Sequence, residues 1–213
     1  RPGRPGYAPA AALARRCCHA LLGSFKVHNV ATVGGNICLS LPAGPMTSFA
    51  ASLDGVATLI AADGTAREVA VADFVTGDGS NVLAPGELLR KVAIPASSLR
   101  GQTSFRQISL SPVGRSAVLV ITRRSPDAGA GDRRGAGDIG DGDETVVTVT
   151  AATPRPLQLR FGVHPAPDSA VAALDAAGPS YLDDVHGSRL WRESMTRRCV
   201  AEAVGELARR TGK

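Results

Sequence analysis

The chain has 213 residues, of which 44% are hydrophobic and only 4% aromatic, so a core must be built mainly from Ala, Val, Leu and Ile. The formal net charge is +5, but the arginines form separated pairs and lack the aromatic or zinc-finger patterns of nucleic-acid-binding modules. This distribution argues against a nucleic-acid partner, and the lack of any long apolar run argues against a membrane span.

The N-terminal part of the chain predicts a tail, a helix and an extended segment. Residues 1–7 are rich in Arg, Pro and Gly, which is typical of a disordered tail. The residue pattern predicts a helix over 8–22, ended by Gly23. The run 27–33 is rich in valine and predicts a short extended segment that leads into two glycines.

A second helix and several strands follow. Apolar residues recur every three or four positions over 45–53, and Gly55 marks the end of this helix. Two β-rich runs flank Asp63 and Gly64, a favoured tight-turn pair, and therefore predict a hairpin. Further strands are predicted within the runs 86–95, 105–108 and 117–121.

The composition changes sharply over 125–144, where Gly, Asp and Ala dominate. Such a segment cannot bury enough apolar surface to offset its ordering entropy, so we expect a flexible linker. A β pattern then resumes, and helices are predicted over 169–177 and 192–210. Strands with hairpins followed by a helix occur twice, which favours an α+β fold over a doubly wound parallel sheet.

The cysteines predict no redox or metal chemistry. Cys17 and Cys18 are adjacent, Cys38 and Cys199 lie apart, and no C-x-x-C pattern occurs. We expect reduced thiols, with at least one of the adjacent pair buried in the core. The sequence also lacks a signal-peptide pattern, which favours a cytoplasmic location.

No arrangement of acids, bases or nucleophiles predicts a catalytic or metal-binding group. The four histidines and the scattered carboxylates show no Ser-His-Asp or metal-ligand pattern. Asp183 and Asp184 are adjacent, so their side chains point in different directions, and we interpret them as a cap at the start of the last helix.

The glycine pair after the valine-rich run is the strongest candidate for a binding site. Gly34 and Gly35 permit positive φ and remove two side chains, so successive N–H groups can form a nest for an anion such as phosphate. Thr32 and Asn36 can add a hydroxyl and an amide donor. A tight turn without a ligand is the alternative, while the Rossmann and P-loop glycine patterns are both absent.

The segment 26–37, KVHNVATVGGNI, resembles the signature of the FAD-binding medium subunits of molybdenum hydroxylases, of the xanthine dehydrogenase and carbon monoxide dehydrogenase type. The segment 63–95 is similar to that family's R-x-V-x-L-x-(D/E)-F and P-x-E-(L/I)-(L/I) patterns in order and spacing. Shorter similarities to the family's later strands and helix occur at 103–109, 153–159 and 182–204. The resemblance covers most of residues 8–208 outside the linker.

The resemblance implies FAD as the cofactor and a set of residues that hold it. The family's loop that packs on FAD and its diphosphate corresponds to Thr32, Val33, Gly34, Gly35 and Asn36. Leu89 corresponds to a leucine near the flavin, with an ordinary core leucine as the compatible alternative. Arg106 stands where the family has a lysine, so it keeps the charge with a different contact geometry, and a surface salt bridge is its alternative role.

The resemblance also implies a domain organisation. Residues 1–7 would be a tail, 8–122 the second part of a PCMH-type FAD-binding domain, 123–144 a linker, and 145–213 a small α+β domain like the C-terminal domain of carbon monoxide dehydrogenase flavoproteins. The implied function is that of an FAD-dependent oxidoreductase subunit, which passes electrons from iron–sulfur clusters to NAD or another acceptor. Its implied partners are an iron–sulfur small subunit and a molybdopterin large subunit.

Departures from the family pattern leave a second reading open. Pro45 stands where the family has an aspartate that contacts the cofactor, and His28 stands where it has an arginine. The glycine-rich loop of the family's first subdomain has no counterpart upstream of residue 8, which predicts an N-terminally truncated chain. The alternative to an FAD-binding subunit is a structural or interaction remnant that keeps the fold but no longer binds FAD. A third hypothesis, a basic nucleic-acid-binding module, is based on the net charge alone.

Overall fold

A computed structural model describes residues 6–20, 25–112, 114–125, 144–162 and 164–211. The protein consists of helices and antiparallel strands. The helices are α1 (Ala8–Ala20), α2 (Phe25–Val30), α3 (Val33–Cys38), α4 (Pro45–Ser52), α5 (Val71–Phe74), α6 (Ala96–Arg100), α7 (Pro167–Ala177) and α8 (Arg189–Thr211). The strands are β1 (Val56–Ile60), β2 (Ala66–Ala70), β3 (Val75–Gly77), β4 (Ser80–Asn81), β5 (Leu88–Ala93), β6 (Gln102–Ile108), β7 (Val118–Arg124), β8 (Thr145–Thr150) and β9 (Leu157–Phe161).

Most predicted elements are confirmed, with one clear exception. The predicted extended segment 27–33 is wrong, because Phe25–Val30 is helical and Ala31 N–H closes its last turn on Val27 at 2.8 Å. Valine disfavours a helix by less than about 1 kcal/mol, so the main-chain hydrogen bonding of the turn overrides it. Residues 1–5 of the predicted tail 1–7 and residues 126–143 of the predicted linker 123–144 lie outside the described residues, while the linker's first two residues belong to β7.

The strands form three antiparallel sheets with the orders β2-β1-β5, β3-β4 and β6-β7-β8-β9. The tight turn at Asp63 and Gly64 joins β1 and β2 as predicted, with Gly64 at φ +85°. Antiparallel sheets combined with separate helices confirm the predicted α+β class.

The strands before and after the predicted linker belong to the same sheet. Leu119–Arg124 of β7 pair with Thr145–Thr150 of β8, and Ser125 N–H donates to the carbonyl of Glu144 at 3.0 Å. The division into 8–122 and 145–213 stays a prediction. The strand order itself indicates that the four-stranded unit begins at Gln102, the first residue of β6.

The two central strands of the four-stranded sheet, β7 and β8, are buried on both faces of the sheet. Successive residues of a strand point to opposite faces. Val120 packs on one face with Val204 of α8, while Ile121 packs on the other face with Leu13 of α1. A third apolar cluster lies beneath the β2-β1-β5 sheet, and it buries Ile37 of α3 completely.

Two of the four cysteines are core thiols, as predicted. Cys17 and Cys199 are buried, whereas Cys18 is exposed and Cys38 lies between these extremes, and all four thiols are free. Burial raises the pKa of the Cys17 thiol to about 12 and that of Cys199 to about 11. Both buried thiols therefore stay protonated and unreactive near neutral pH.

A buried arginine cluster joins α4 and α6 to the four-stranded sheet. Arg123 is almost completely buried and donates to the hydroxyl of Ser98 and to the carboxylate of Asp54. Arg160 donates to Asp54 at 2.6 Å and to Glu144 at 2.9 Å, so two cations and two carboxylates neutralise each other. This pairing offsets the cost of removing Arg123 from water.

The start of α8 is held by a different residue from the one predicted. The predicted cap at Asp183 and Asp184 is wrong, because Ser188 lies directly before α8 and accepts from Trp191 N–H at 3.4 Å. Asp184 instead accepts from the main-chain N–H of His186 at 2.7 Å and pairs with Arg192. The turn between Asp184 and Gly187 keeps the carboxylates too far upstream to cap the helix.

Arg192 ties the start of α8 to the ends of two strands. Its buried guanidinium donates to the carbonyl oxygens of Ala117 at 2.6 Å, Ala151 at 2.7 Å and Gly187 at 3.0 Å. The same group pairs with Asp184. Removal of this side chain would leave several polar atoms without partners.

We expect Arg192→Met to lower the free energy of unfolding by about 3 kcal/mol, because it leaves buried carbonyls unpaired. Arg198→Met is the matched control, since Arg198 lies on the same helix and its ion pair with Glu202 is exposed to solvent. It should change stability little. Urea unfolding of both variants measures the difference, and equal stabilities would contradict the role given to Arg192.

Candidate functional site

The two glycines singled out in the sequence lie in the first turn of α3. Thr32 has an extended backbone directly before the helix, and its hydroxyl oxygen accepts from Gly35 N–H at 3.0 Å. The expectation of positive φ is wrong, because neither Gly34 nor Gly35 has a positive φ. The hydroxyl cap of Thr32 makes a helical turn the satisfied conformation here.

The close approach of the Thr32 hydroxyl, and not a positive φ, explains the glycine at position 35. A methyl group added at Gly35 would lie 2.9 Å from Thr32 Oγ1, which is closer than real side chains come. One added at Gly34 would have Leu89 Cδ2 as its nearest neighbour, at 3.9 Å. The structure therefore brings together Gly34 and Leu89, two predicted site residues that lie on α3 and β5.

The main chain at the start of α3 offers hydrogen-bond donors to solvent. Asn36 N–H donates to the Thr32 carbonyl at 3.0 Å and Gly35 N–H to the Thr32 hydroxyl. Within the described part of the chain, no hydrogen bond uses the N–H of Val33 or Gly34. These two donors, with the Thr32 hydroxyl proton, suit an anion such as a diphosphate.

Asn36 uses its side-chain oxygen within the protein. Asn36 Oδ1 accepts from Met46 N–H at 2.9 Å, which joins α3 to the start of α4. A methyl group at Gly44 would lie 3.3 Å from this oxygen and 3.0 Å from the carbonyl of Leu41, so the turn before α4 needs a glycine. The role of Asn36 toward a cofactor stays a prediction.

The loop 82–87 stands next to α3 and is closed by an ion pair that sequence reasoning missed. Glu87 accepts from Ala84 N–H at 2.8 Å and from both Nε and Nη2 of Arg67, at 2.8 and 2.7 Å. Arg67 also donates to the carbonyl of Val82 at 2.7 Å. The two residues are 20 positions apart, and although both match the family pattern, nothing in the sequence indicated that they pair.

Arg106 lies in the four-stranded sheet and faces α8. Its guanidinium pairs with Glu206 at 2.5 Å and with Glu202 at 3.3 Å. This is the alternative role that the sequence offered, and a contact between Arg106 and a cofactor stays a prediction.

Apolar and structural side chains surround the start of α3. Val30, Val33 and Leu88 are 79%, 51% and 56% exposed, so an apolar surface borders the free N–H groups. Pro45 is buried in the first turn of α4, where the missing N–H of a proline costs nothing. His28 is exposed on α2.

The described residues contain no group of three or more His, Cys, Asp or Glu side chains placed to hold a metal ion. None of the helices in the described ranges combines the length and the apolar character that a membrane crossing needs.

Residues 11–97 match the family described as "FAD binding domain in molybdopterin dehydrogenase". This segment of the chain is therefore similar to that family. It contains α3, the loop 82–87 and Leu89, and the match confirms the predicted family and FAD as its cofactor.

One similar protein is the nicotinate dehydrogenase FAD-subunit of Eubacterium barkeri, which is 30% identical over 109 residues. The match covers 47% of this chain and 36% of that protein, so the chain spans about a third of the length of this relative.

Solved structures extend the similarity to the fold of nearly the whole chain. Quinoline 2-oxidoreductase from Pseudomonas putida 86 has a TM-score of 0.68 and 19% identity, over 96% of this chain and 70% of that one. Carbon monoxide dehydrogenase from Oligotropha carboxidovorans has a TM-score of 0.69 and 21% identity, over 86% of this chain and 63% of that one. At these identities the likeness concerns the fold, and it confirms the α+β class.

The Gly35→Ala variant should be less stable than the Gly34→Ala variant. A methyl at Gly35 displaces the Thr32 hydroxyl and breaks the cap, which we expect to cost about 1 kcal/mol. A methyl at Gly34 meets only an ordinary contact, and alanine favours a helix over glycine by up to about 1 kcal/mol. Thermal unfolding compares the two, and a Gly35→Ala variant as stable as Gly34→Ala would show that the cap contributes nothing.

The ion pair at the loop 82–87 predicts a response to acid. Hydrogen bonds from Arg67 and from Ala84 N–H lower the pKa of Glu87 from its ordinary 4.5 to about 2. A carboxylate with a lowered pKa stabilises the fold above its unfolded-state pKa and loses this effect as pH falls through the folded-state value. The loop should therefore stay closed at pH 5 and open progressively between 4.5 and about 2.

NMR titration of the Glu87 carboxyl carbon measures this pKa. Arg67→Met should raise the midpoint, since it removes the largest cause of the shift. An unchanged midpoint in that variant would contradict the pairing of Arg67 with Glu87.

Proposed function

We propose that this chain is the FAD-holding part of an oxidoreductase subunit of the molybdopterin dehydrogenase type, and that FAD binds at the start of α3. The family match over residues 11–97 is the observation that carries the proposal. The free N–H groups of Val33 and Gly34 support it, because they lie within the matched segment and beside an exposed apolar surface.

The residues present fit a dinucleotide with an anionic bridge and an apolar ring system. The N–H groups of Val33 and Gly34 and the Thr32 hydroxyl would donate to the diphosphate. The missing side chain of Gly34 would allow close approach, and Leu89, which packs against Gly34, would contact the rings. Gly35 and Asn36 would act by holding the turn, through the Thr32 cap and the hydrogen bond to Met46.

The chain itself needs no acid or base under this proposal. FAD, when bound, supplies the redox chemistry, while the protein binds it, orients it and excludes water from one side. The work of the described residues is therefore hydrogen bonding and packing, which is what main-chain donors and aliphatic side chains provide.

The partners and the reaction are proposed by analogy with the named relatives. The Eubacterium barkeri relative is by name the FAD-subunit of a nicotinate dehydrogenase, so we propose that this chain also works within a complex. The proposed partners are an iron–sulfur small subunit and a molybdopterin large subunit, with electrons passing from the clusters through FAD to NAD or another acceptor. A cytoplasmic location completes the proposal.

A structural or interaction remnant without FAD is the second candidate. Arg106 pairs with two glutamates of α8, and Pro45 offers no acceptor where the family pattern has an aspartate. These two observations favour a protein that keeps the fold while its contacts to the cofactor weaken.

Titration of the purified full chain with FAD tests the proposal. We expect the wild-type protein to bind FAD at a saturable site and to quench its fluorescence. The Gly34→Ala variant should bind FAD at least about tenfold more weakly, because a methyl group would stand between the main chain and the cofactor. Gly205→Ala on α8 is the matched control, since a methyl there meets only ordinary contacts at 3.4 Å or more.

The result separates the two candidates. Folded wild-type protein that shows no saturable FAD binding would overturn the proposal and support the remnant. Equal FAD affinity of Gly34→Ala and Gly205→Ala would overturn the proposed position of FAD at α3.

A further inference from the structure

Asn81 joins the end of α3 to the loop that leads to Leu89. Its Nδ2 donates to the carbonyl of Cys38 at 2.9 Å and to Ser40 Oγ at 3.1 Å. Its Oδ1 accepts from Leu83 N–H at 3.0 Å. The amide thus uses both of its protons and its oxygen within the protein, and no other side chain type of this size offers this combination.

The segment that Asn81 holds on the α3 side depends on outside support. Ser40 is fully buried and has a φ of +54°, a conformation that is unfavourable for a residue with a side chain. Its hydroxyl donates to Ile37 O at 3.1 Å, and its carbonyl accepts from Gly79 N–H at 3.1 Å. The β3-β4 hairpin therefore contacts the end of α3 through Gly79 and Asn81 together.

The segment on the other side carries the proposed flavin contact. Leu83 lies in the loop 82–87, which the Arg67–Glu87 ion pair closes, and the chain then enters β5. Leu89 of β5 faces Gly34 of α3. Asn81 therefore lies between the two segments whose separation determines how Gly34 and Leu89 face each other.

We propose that Asn81 is a positioning residue for FAD. Its amide sets the distance between α3 and the loop 82–87, which leads to Leu89 of β5, and so determines the shape of the surface on which the cofactor lies. This inference rests on the proposed function. An aspartate at this position keeps the size and the acceptor for Leu83 N–H but loses both donors, and it places a negative charge beside the Cys38 carbonyl.

The test compares Asn81→Asp with Ser80→Asp. Ser80 is the neighbouring exposed residue of β4, and its hydroxyl makes only a long contact of 3.4 Å to Asp78, so this control adds the same charge without breaking the bridge. We expect Asn81→Asp to bind FAD roughly 10- to 100-fold more weakly and to change the visible circular dichroism of the bound flavin, whereas Ser80→Asp should match wild type. Equal affinity and equal flavin spectra in the two variants would overturn the proposal.

A second measurement needs no flavin and separates this inference from the proposed function. Amide hydrogen exchange of the flavin-free full chain reports the N–H of Gly79, which donates to the Ser40 carbonyl at 3.1 Å, and that of Leu39, which closes the last turn of α3 on Gly35 at 3.0 Å. We expect both to exchange at least about tenfold faster in Asn81→Asp than in Ser80→Asp. Unchanged exchange would overturn the positioning role, even if wild-type protein binds FAD.

If the wild-type protein does not bind FAD, the proposed function is wrong. Faster amide hydrogen exchange in Asn81→Asp would still support a bridge between α3 and the loop 82–87. Should Asn81→Asp not fold, Asn81→Ala removes the bridge without adding charge and is measured in the same way. Wild-type exchange rates in a folded Asn81→Ala variant would contradict the inference.

Discussion

The hydrogen bond from Met46 N–H to Asn36 Oδ1 is the contact on which the geometry of the candidate site depends. It joins α3 to α4, and α4 packs on both large sheets of the molecule. Residues of α4 contribute to the core beneath β1, while Ser48 bonds to Thr150 of β8 at 2.7 Å. This turn therefore helps to position α3 relative to both sheets, and a side chain at Gly44 would crowd the Asn36 oxygen.

The candidate site is made of main chain and small side chains held in place by polar contacts around it. Thr32 caps α3, Asn81 supports its end, and the Arg67–Glu87 pair closes the neighbouring loop. None of these residues has the environment of a catalytic acid or base. A surface of this kind is suited to holding a cofactor, because rigid donors cost little entropy when a ligand binds.

Two buried arginines connect the parts of the molecule around this site. Arg123 links α4 and α6 to β7 through Asp54 and Ser98, and Arg192 links α8 to the ends of β7 and β8. Each is paired with a carboxylate, which compensates for its removal from water. The four-stranded sheet thus connects the family-matched segment to the last two helices, and the sheet begins at Gln102, within the region predicted as a single FAD-binding domain.

The sequence by itself determined the elements with strong local signals, which are α4, the Asp63–Gly64 hairpin and the last helix. It also indicated the family, through the combined resemblance of several segments of the chain. It could not determine that Phe25–Val30 is helical, that β7 pairs with β8, or that Asn36, Asn81 and Glu87 bond to Met46, Cys38 and Arg67. Local preferences amount to less than about 1 kcal/mol per residue and act over a few positions. Contacts between side chains distant in sequence arise only when the whole chain packs, so the tertiary structure alone decided them.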